Sequence, residues 1–443
     1  MPTELTEIKI PVEKLELGMH VIRLDKPWEE TDFLIQGFVI QDRKTLQELT
    51  EQCSHVYIEG RVTHNLAPAQ LRTQEPPKEK KGLFSRFSRS RPTPPADAKS
   101  GKSLQGPPPA EKRVRYINKI PTERELPEAK GTYDFAKTTV VNIMDGIRLG
   151  RTIDMNQARA TVTRIVDSVL RNKDALAWLT RIKNKDEYTA EHSLNVSILA
   201  ATFARHLGHT EEEIAIIALG GLLHDVGKAK IPTEILNKEG RLTNEEFALM
   251  RQHAVFGRNL LMSAASKDKI TIDIAHSHHE RVDGKGYPRK LQAHQIPYYA
   301  KVIAIADTYD AITSNRCYDS GRSSMEALDI IYHVKGEQFD EALALEFIRC
   351  IGVYPPGAIV EMNTGEVGLV VNTHEQSKLK PRILMVLDKN KERVAAQFVD
   401  LAKISQGVAF SIKRELINGS HGVFLEDFLK RGSLFKPSGD SPA

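Results

Sequence analysis

The sequence of 443 residues contains few cysteines, few aromatic residues and no long apolar stretch. Its three cysteines, Cys53, Cys317 and Cys350, are too few for a disulfide framework, so we expect a reducing, cytoplasmic compartment. No apolar run approaches the roughly 18 residues that a membrane-spanning helix needs. The first residues also lack the basic and apolar regions that make up a secretory signal.

The sequence also lacks an excess of charge of either sign. Lysine and arginine total 62 against 58 acidic residues, which gives a formal net charge of +4. Because a dedicated nucleic-acid-binding protein usually has a strong basic excess, we expect no nucleic acid partner. A hydrophobic content of 40% is sufficient for packed cores, and the length predicts about two to four domains.

Local composition predicts a multidomain chain in four parts. The strand patterns in residues 1–61 predict a small N-terminal α+β domain. Residues 62–130 are rich in proline and basic residues, and this composition predicts a flexible linker. Helical periodicity over residues 131–352 predicts an all-α domain, and residues 353–443 predict a small β-rich C-terminal subdomain with a tail. The individual strands are predicted at residues 8–12, 33–40, 56–58, 358–362, 367–371 and 382–387, and a short N-terminal helix at residues 45–52.

The helical part contains a set of histidines and aspartates with the chemistry of metal ligands: His192, His224, Asp225, His253, His278, His279 and Asp307. Mixed imidazole and carboxylate ligands suit iron, manganese and zinc. Seven such groups allow two metals about 3.5–4 Å apart, with Asp225 as the bridging residue. A water shared by two metals ionises to hydroxide near neutral pH, which favours hydrolysis of a phosphate ester. Lys228 could then hold the phosphate as a point charge.

Two further points come from the helix signals. A lone histidine is more often structural than a metal ligand. Whether His276 is a ligand stays open, because it lies about one helical turn from His279. Threonines predict the helix starts: Thr189 as a cap before His192, and two capping boxes that pair a threonine with a glutamate three residues later. These boxes are Thr210 with Glu213 and Thr243 with Glu246. The second box is expected to begin the helix that carries His253.

In their order along the chain, these residues resemble the HD-GYP family, bacterial phosphodiesterases of the HD superfamily. The motifs that carry the resemblance are YTAEH at 188–192, LLHDVGK at 222–228, HAVFG at 253–257, HHERVDGKGYP at 278–288 and IAIADTYDAITSNR at 303–316. Residues 8–60 also look like a small N-terminal domain of unknown function often fused to this family. The resemblance implies an all-α catalytic domain with a di- or tri-metal centre, usually of iron or manganese, that hydrolyses cyclic di-GMP to pGpG or GMP.

The resemblance also implies roles for individual residues. All seven histidines and aspartates match the metal ligands of the family, with Asp225 at the catalytic centre. Lys228 matches a lysine that contacts the phosphate, and Arg316 matches a basic residue near the substrate. Gly286 and Tyr287 belong to the namesake loop beside the site, and the loop Gly286-Tyr287-Pro288 is implied in docking diguanylate cyclase (GGDEF) domains. A homodimer stays open.

Three positions depart from the family pattern. Tyr188 replaces a glutamate that helps to hold a third metal in some members, so we expect two metals. Lys301 replaces an arginine and keeps its charge. Asp319 stands where a second basic substrate contact is common, which would weaken substrate binding unless Arg322 compensates. Two alternatives therefore stay open: a low-turnover receptor or scaffold for cyclic di-GMP, and a hydrolase of another cyclic dinucleotide or of a nucleotide monophosphate.

Overall fold

The structure is a computed structural model, which describes residues 6–25, 38–40, 43–60, 106–182, 188–238, 240–264, 268–314, 322–374, 377–404 and 410–430. The chain divides into two compact units, residues 1–103 and 104–443. Within the described ranges, none of the helices combines the length and the apolar character that crossing a membrane requires.

The first unit is a four-stranded antiparallel sheet with one helix. Its elements are β1 (Thr6–Pro11), β2 (His20–Leu24), β3 (Phe38–Val39), α1 (Arg43–Gln52) and β4 (His55–Gly60), and the strand order is β1-β4-β2-β3. The predicted α+β class is confirmed, and β1, β4 and α1 lie where the sequence placed them. Strand β2 was not predicted, and most of the strand predicted at residues 33–40 lies outside the described residues.

The second unit begins with twelve described helices: α2 (Thr122–Arg148), α3 (Met155–Arg171), α4 (Lys173–Leu179), α5 (Tyr188–Leu207), α6 (Glu211–Leu223), α7 (Thr233–Leu236), α8 (Asn244–Met250), α9 (His253–Ser263), α10 (Lys269–Ser277), α11 (Tyr298–Thr313), α12 (Ser324–His333) and α13 (Glu341–Ile351). Helix α5 is the central element, because every residue from 190 to 205 is buried. It packs most closely against α6 and α11. These three helices supply or position four of the seven predicted ligands.

Helix α2 begins earlier than composition predicted. It starts at Thr122, so the predicted linker boundary at residue 130 lies inside a helix. The reason is a buried carboxylate: Glu125 is 1% exposed, and it accepts hydrogen bonds from Arg171 (2.7 and 2.9 Å) and from Ser168 (2.7 Å) on α3. This tertiary contact fixes the first turn of α2. Residues 62–105 of the predicted linker lie outside the described residues.

The predicted capping boxes at Thr210 and Thr243 are both confirmed. The helix that Thr243 begins does not carry His253, however, and that expectation was wrong. Helix α8 ends at Met250, the chain turns, and His253 is the first residue of the separate helix α9. The expectation that Thr189 is a cap was also wrong, because α5 begins one residue earlier and Thr189 lies in its first turn.

The C-terminal part is an antiparallel sheet of five strands: β5 (Ile359–Met362), β6 (Val367–Asn372), β7 (Arg382–Leu387), β8 (Arg393–Asp400) and β9 (Ile412–Leu416), followed by α14 (Leu425–Lys430). The strand order is β8-β7-β6-β5-β9. The prediction of a β-rich region is confirmed, and β5, β6 and β7 were predicted individually. Strands β8 and β9 were not predicted.

A buried polar network joins this sheet to the helices. The Glu415 carboxylate on β9 is 4% exposed; it binds the Arg181 guanidinium and accepts a hydrogen bond from the Ser324 backbone N–H at 3.0 Å. The Ser324 hydroxyl in turn accepts a hydrogen bond from the Tyr309 hydroxyl on α11, at 3.1 Å. We call these four residues the Glu415 network. It connects the sheet directly to the helix that carries Asp307.

Candidate metal centre

The seven predicted ligands come from five separate segments and meet in one buried region. His192 lies on α5, the His224-Asp225 pair follows α6, His253 begins α9, the His278-His279 pair follows α10, and Asp307 lies on α11. The side chains form two groups, in each of which the ligand atoms lie within 4.8 Å of one another. The groups are Asp225, His253, His278 and His279, and His192, His224 and Asp307. His276 belongs to neither group.

Glycines allow the segments to approach so closely. A Cβ atom at Gly227 would lie 1.9 Å from the His253 carbonyl oxygen and 2.5 Å from the Gly257 nitrogen. At Gly221, a Cβ atom would lie 2.9 Å from the Ser197 Cα atom on α5. Because contacts below about 3 Å with backbone atoms cannot be relieved by moving a side chain, any other residue type at these positions would force the backbone segments apart.

Hydrogen bonds fix the tautomers of three histidines. The Nδ1 atoms of His224, His253 and His278 lie 2.7, 2.7 and 3.0 Å from the backbone carbonyl oxygens of Gly221, Met250 and Ala275. A carbonyl oxygen only accepts, so each Nδ1 carries the proton and each Nε2 presents a lone pair. This is the arrangement that metal-bound histidines usually have.

The Nε2 atoms then face other acceptors, which is unfavourable without a cation between them. The Nε2 atoms of His253 and His278 lie 3.3 Å apart, and His224 Nε2 lies 3.2 Å from Asp225 Oδ2. Among the described residues, neither His224 Nε2 nor Asp225 Oδ1 has a hydrogen-bond partner, although both are buried. A buried polar atom without a partner costs free energy. The donor set therefore fits divalent metal ions.

His192 differs because both of its ring nitrogens face carboxylates. Its Nδ1 lies 2.8 Å from Asp310 Oδ2, and its Nε2 lies 3.0 Å from Asp307 Oδ1. Asp310 is 1% exposed and also accepts a hydrogen bond from the Ser314 hydroxyl at 3.2 Å. Asp310 thus orients His192, and sequence reasoning missed it. The available signal was its position three residues after Asp307, on the same side of α11.

Burial and local charge favour the protonation states that bind metals. Burial lowers the pKa of the His253 and His278 imidazoles, and it lowers the pKa of His279 to about 3. Burial alone would raise the pKa of Asp225, but the Lys228 ammonium and neighbouring imidazoles outweigh it and hold that pKa well below its usual value. These shifts favour neutral imidazoles at His253, His278 and His279 and an ionised Asp225 carboxylate near pH 7, as metal coordination requires.

A cavity of about 270 Å³ opens beside the His278-His279 pair. We call it the site cavity. Three cationic side chains line it, Arg251, Arg281 and Lys285, together with the aromatic rings of Phe247 and Tyr287. The Arg251 guanidinium lies over the rings of Phe247 (4.3 Å) and Tyr287 (5.6 Å). The cavity therefore suits an anion that carries flat rings. Sequence reasoning missed both Arg251 and Phe247.

The loop at residues 284–288 forms one wall of the site cavity. The Tyr287 ring stacks on His279 with 4.7 Å between the centroids, and a Cβ atom at Gly286 would lie 2.4 Å from the Arg281 nitrogen. The loop is held by Glu280, whose buried carboxylate accepts hydrogen bonds from the backbone N–H groups of Arg289 (2.7 Å) and Leu291 (2.9 Å). Gly286 and Tyr287 thus lie beside the metal-ligand cluster.

The remaining predicted residues have different outcomes. The Lys228 ammonium binds Asp225 Oδ2 at 2.5 Å, at the edge of the cluster. Lys301 pairs with Asp340 at 3.4 Å. Arg316, Cys317 and Asp319 lie outside the described residues, as does the side chain of Tyr188. The expectation of two rather than three metals, which depends on Tyr188, therefore stays a prediction.

The chain matches three protein families. Residues 174–343 match the HD domain, residues 7–158 match a domain of unknown function (DUF3391), and residues 359–408 match a KOW domain associated with the HD domain. The helices that hold the histidine and aspartate cluster therefore form an HD domain.

A curated relative extends this result to 90% of the chain. The cyclic di-GMP phosphodiesterase PA4108 of Pseudomonas aeruginosa is 34% identical over 401 residues, which cover 90% of each chain. The cyclic di-GMP phosphodiesterase response regulator RpfG of Xanthomonas campestris is 37% identical over 172 residues, 38% of this chain and 46% of its own. A 3'3'-cGAMP-specific phosphodiesterase of Vibrio cholerae is 37% identical over 159 residues, 36% of this chain and 37% of its own. The chain belongs to the HD-GYP phosphodiesterase family, as its motifs predicted.

Proposed function

We propose that this chain is a metal-dependent phosphodiesterase that hydrolyses cyclic di-GMP to pGpG, to GMP or to both. The observation that carries the proposal is the buried cluster of seven imidazole and carboxylate groups, in which lone pairs face lone pairs. The similarity to the Pseudomonas aeruginosa enzyme over 90% of the chain supports the choice of substrate.

The two groups of side chains would hold two divalent metals; the ligand set suits iron, manganese and zinc, and the family resemblance favours iron or manganese. Such metals lower the pKa of a bound water toward neutrality and neutralise phosphate charge. Asp225 would belong to both sites, because its Oδ1 lies 3.3 Å from His253 Nε2 and its Oδ2 lies 3.2 Å from His224 Nε2. Asp310 holds the His192 ring in place.

Cationic and aromatic side chains would bind the substrate. Lys228 is about 19% exposed and can donate hydrogen bonds to a phosphate oxygen at the cluster. Arg251 and Lys285 in the site cavity can bind the second phosphate, while Phe247 and Tyr287 present rings on which a purine can stack. Arg316 is proposed as a further substrate contact from the family resemblance.

The test compares two histidines on one segment. Protein purified without oxygen and loaded with iron(II) or manganese(II) is incubated with cyclic di-GMP, and the products are separated. We expect His278→Ala to lose turnover and bound metal, because His278 belongs to the cluster. His276→Ala is the matched control and should keep both, since it lies outside the cluster. Absence of pGpG and GMP from the metal-loaded wild type would refute the proposal, and binding without turnover would instead indicate a receptor.

A second candidate substrate is another cyclic dinucleotide, because one relative is specific for 3'3'-cGAMP. Parallel assays with cyclic di-GMP, 3'3'-cGAMP and a nucleotide monophosphate separate these possibilities by their values of kcat/KM. Higher kcat/KM for 3'3'-cGAMP would replace cyclic di-GMP as the substrate and leave the proposed metal chemistry unchanged.

We also propose that the protein acts in the cytoplasm and that the loop Gly286-Tyr287-Pro288 docks diguanylate cyclase (GGDEF) domains. Lys285, Arg289 and Lys290 are exposed around this loop, while Tyr287 is half-buried against His279. A pull-down of a purified cyclase domain should therefore be weakened by Lys285→Glu/Lys290→Glu. Equal recovery with wild type and variant would refute this role for the loop.

A further inference from the structure

A second cavity lies in the same unit, between the helical domain and the C-terminal sheet. We call it the junction cavity. It measures about 130 Å³, close to the volume that holds a benzene-sized ligand in other proteins. Its walls come from α4, α5, the end of α11, the start of α12, the end of α13 and the segment after β9. None of the seven predicted metal ligands lines it.

Helix α11 forms a wall that both sites share. Asp307 on this helix belongs to the metal-ligand cluster, whereas Tyr309, Asp310 and Thr313 line the junction cavity. Asp310 touches both sites, because its carboxylate also accepts the hydrogen bond from His192 Nδ1 at 2.8 Å. A ligand in the junction cavity would therefore contact the residue that orients a predicted metal ligand.

The three carboxylates of the junction cavity already accept hydrogen bonds from the protein. Asp174 accepts from Asn118 (3.2 Å), Asp310 accepts from His192, and Glu415 binds Arg181. These groups therefore have less capacity for a ligand that donates hydrogen bonds, and a cationic ligand would have to compete with existing partners.

Donors and cations of the cavity retain capacity. Within the described part of the chain, the exposed Arg322 guanidinium forms no ion pair. The Lys173 ammonium, which has three N–H groups, donates to the Thr373 hydroxyl at 3.1 Å and lies 3.8 Å from Asp174. Thr202 is 7% exposed, lines the cavity and has no hydrogen-bond partner for its hydroxyl among the described residues. These groups suit a ligand with acceptor oxygens.

Apolar side chains complete the cavity, including Leu199, Ile351, Pro355 and Ile417. We propose that the junction cavity binds a small oxyanion, a phosphate or a carboxylate group on a short apolar body, with Lys173 and Arg322 as its cationic contacts. The sequence left open whether Arg322 compensates for Asp319 in substrate binding. The structure places Arg322 in the lining of the junction cavity.

The binding test uses full-length protein treated with a chelator, so that an anion cannot bind through metals. Inorganic phosphate and succinate are titrated separately by calorimetry, which distinguishes a phosphate from a carboxylate ligand. We expect at least one of them to bind with one equivalent. Lys173→Ala/Arg322→Ala should weaken that binding by at least about tenfold, because it removes two charge-assisted hydrogen bonds. Arg322→Ala alone, at an exposed side chain, should also weaken it without loss of folding.

The matched control is Arg251→Ala/Lys285→Ala, which removes the same charge from the site cavity; any anion bound there is lost in this control, whereas the equivalent bound in the junction cavity should keep its affinity. Binding that this control abolishes, or that the junction variants leave intact, would overturn the proposal, as would the absence of binding by both anions at millimolar concentration. None of these outcomes depends on the proposed phosphodiesterase activity. A second experiment does depend on that activity. A saturating concentration of the bound anion should change the turnover of wild type and not that of Arg322→Ala. Unchanged turnover of wild type would refute the coupling through α11.

Discussion

Gly227 offers a sharp test of how the metal-ligand cluster is assembled. The residue lies in the turn after His224-Asp225, and in Gly227→Ala the new Cβ atom would lie 1.9 Å from the His253 carbonyl oxygen. An ordinary contact between these atom types is about 3.4 Å or more, so the turn and α9 must separate by more than 1 Å. The two obstructing atoms, the His253 carbonyl oxygen and the Gly257 nitrogen, both belong to the backbone, so no rotation of a side chain can relieve the overlap.

Two consequences follow for Gly227→Ala. Overpacking of this kind costs about 1–3 kcal/mol of unfolding free energy. The separation also moves Asp225 away from His253, whose Nε2 atom lies 3.3 Å from Asp225 Oδ1. A displacement of about 1 Å at a catalytic group can reduce turnover by about 100-fold. We therefore expect lower stability and a loss of activity that the loss of folded protein does not explain.

The assay combines urea unfolding with turnover under metal-saturated conditions. Gly131→Ala is the matched control: Gly131 lies in α2, and a Cβ atom there would meet nothing within 4 Å. This control should stabilise the protein by about 0.5–1 kcal/mol, as alanine does in a helix interior, and leave turnover unchanged. Wild-type stability, metal content and turnover in Gly227→Ala would refute the close approach on which the cluster depends.

Three further predictions concern the positioning of His192, acid stability and metal removal. Asp310→Asn should weaken metal affinity by about 10–100-fold, because Asp310 holds the ring of the predicted ligand His192. Ser314→Ala, measured by the same metal titration, should have a smaller effect, and equal affinities in wild type and Asp310→Asn would exclude the positioning role. Hydrogen bonds from Lys391 and Arg414 lower the pKa of Glu361 from 4.5 to about 2. The contribution of Glu361 to stability is therefore complete above pH 4.5 and is lost as the pH falls toward 2. The urea midpoint should fall less steeply across this window for Glu361→Gln than for wild type, and parallel curves would contradict the assignment. Chelation should lower the Tm of wild type and of His276→Ala, whereas the Tm of His278→Ala, which already lacks metal, should change little. A wild-type Tm that chelation leaves unaltered would argue against a bound metal.

Local sequence signals predicted the parts of this structure that depend on local chemistry. The capping boxes at Thr210 and Thr243 are satisfied within four residues, so sequence alone identifies them. The ligand set was also visible, because adjacent pairs such as His224-Asp225 are rare enough to attract notice. That these residues meet could be expected from the family motifs, since composition alone gives no distances.

The remaining features depend on tertiary contacts. The break between α8 and α9 was missed because no proline or glycine marks it at residues 251 and 252, whereas the close approach of Gly227 to the His253 carbonyl oxygen is a tertiary contact. Asp310 and Arg251 were missed because their roles come from partners far away in the sequence. The early start of α2 was missed because proline and charge dominate its local composition, whereas Glu125 is fixed by α3.

The Glu415 network makes the C-terminal sheet inseparable from the helices in energetic terms. A protein cut after residue 352 would lose Glu415 and leave the Arg181 guanidinium, about 20% exposed, without its carboxylate partner. Because residues beyond 352 also help to cover this guanidinium, the cut would expose it to water and would remove the hydrogen bonds that join Glu415 to Arg181 and Ser324. The change would affect Ser324 and, through it, Tyr309, which lies two residues after Asp307 on α11. A shortened HD domain of this chain would thus be a poor substitute for the whole in studies of its catalysis.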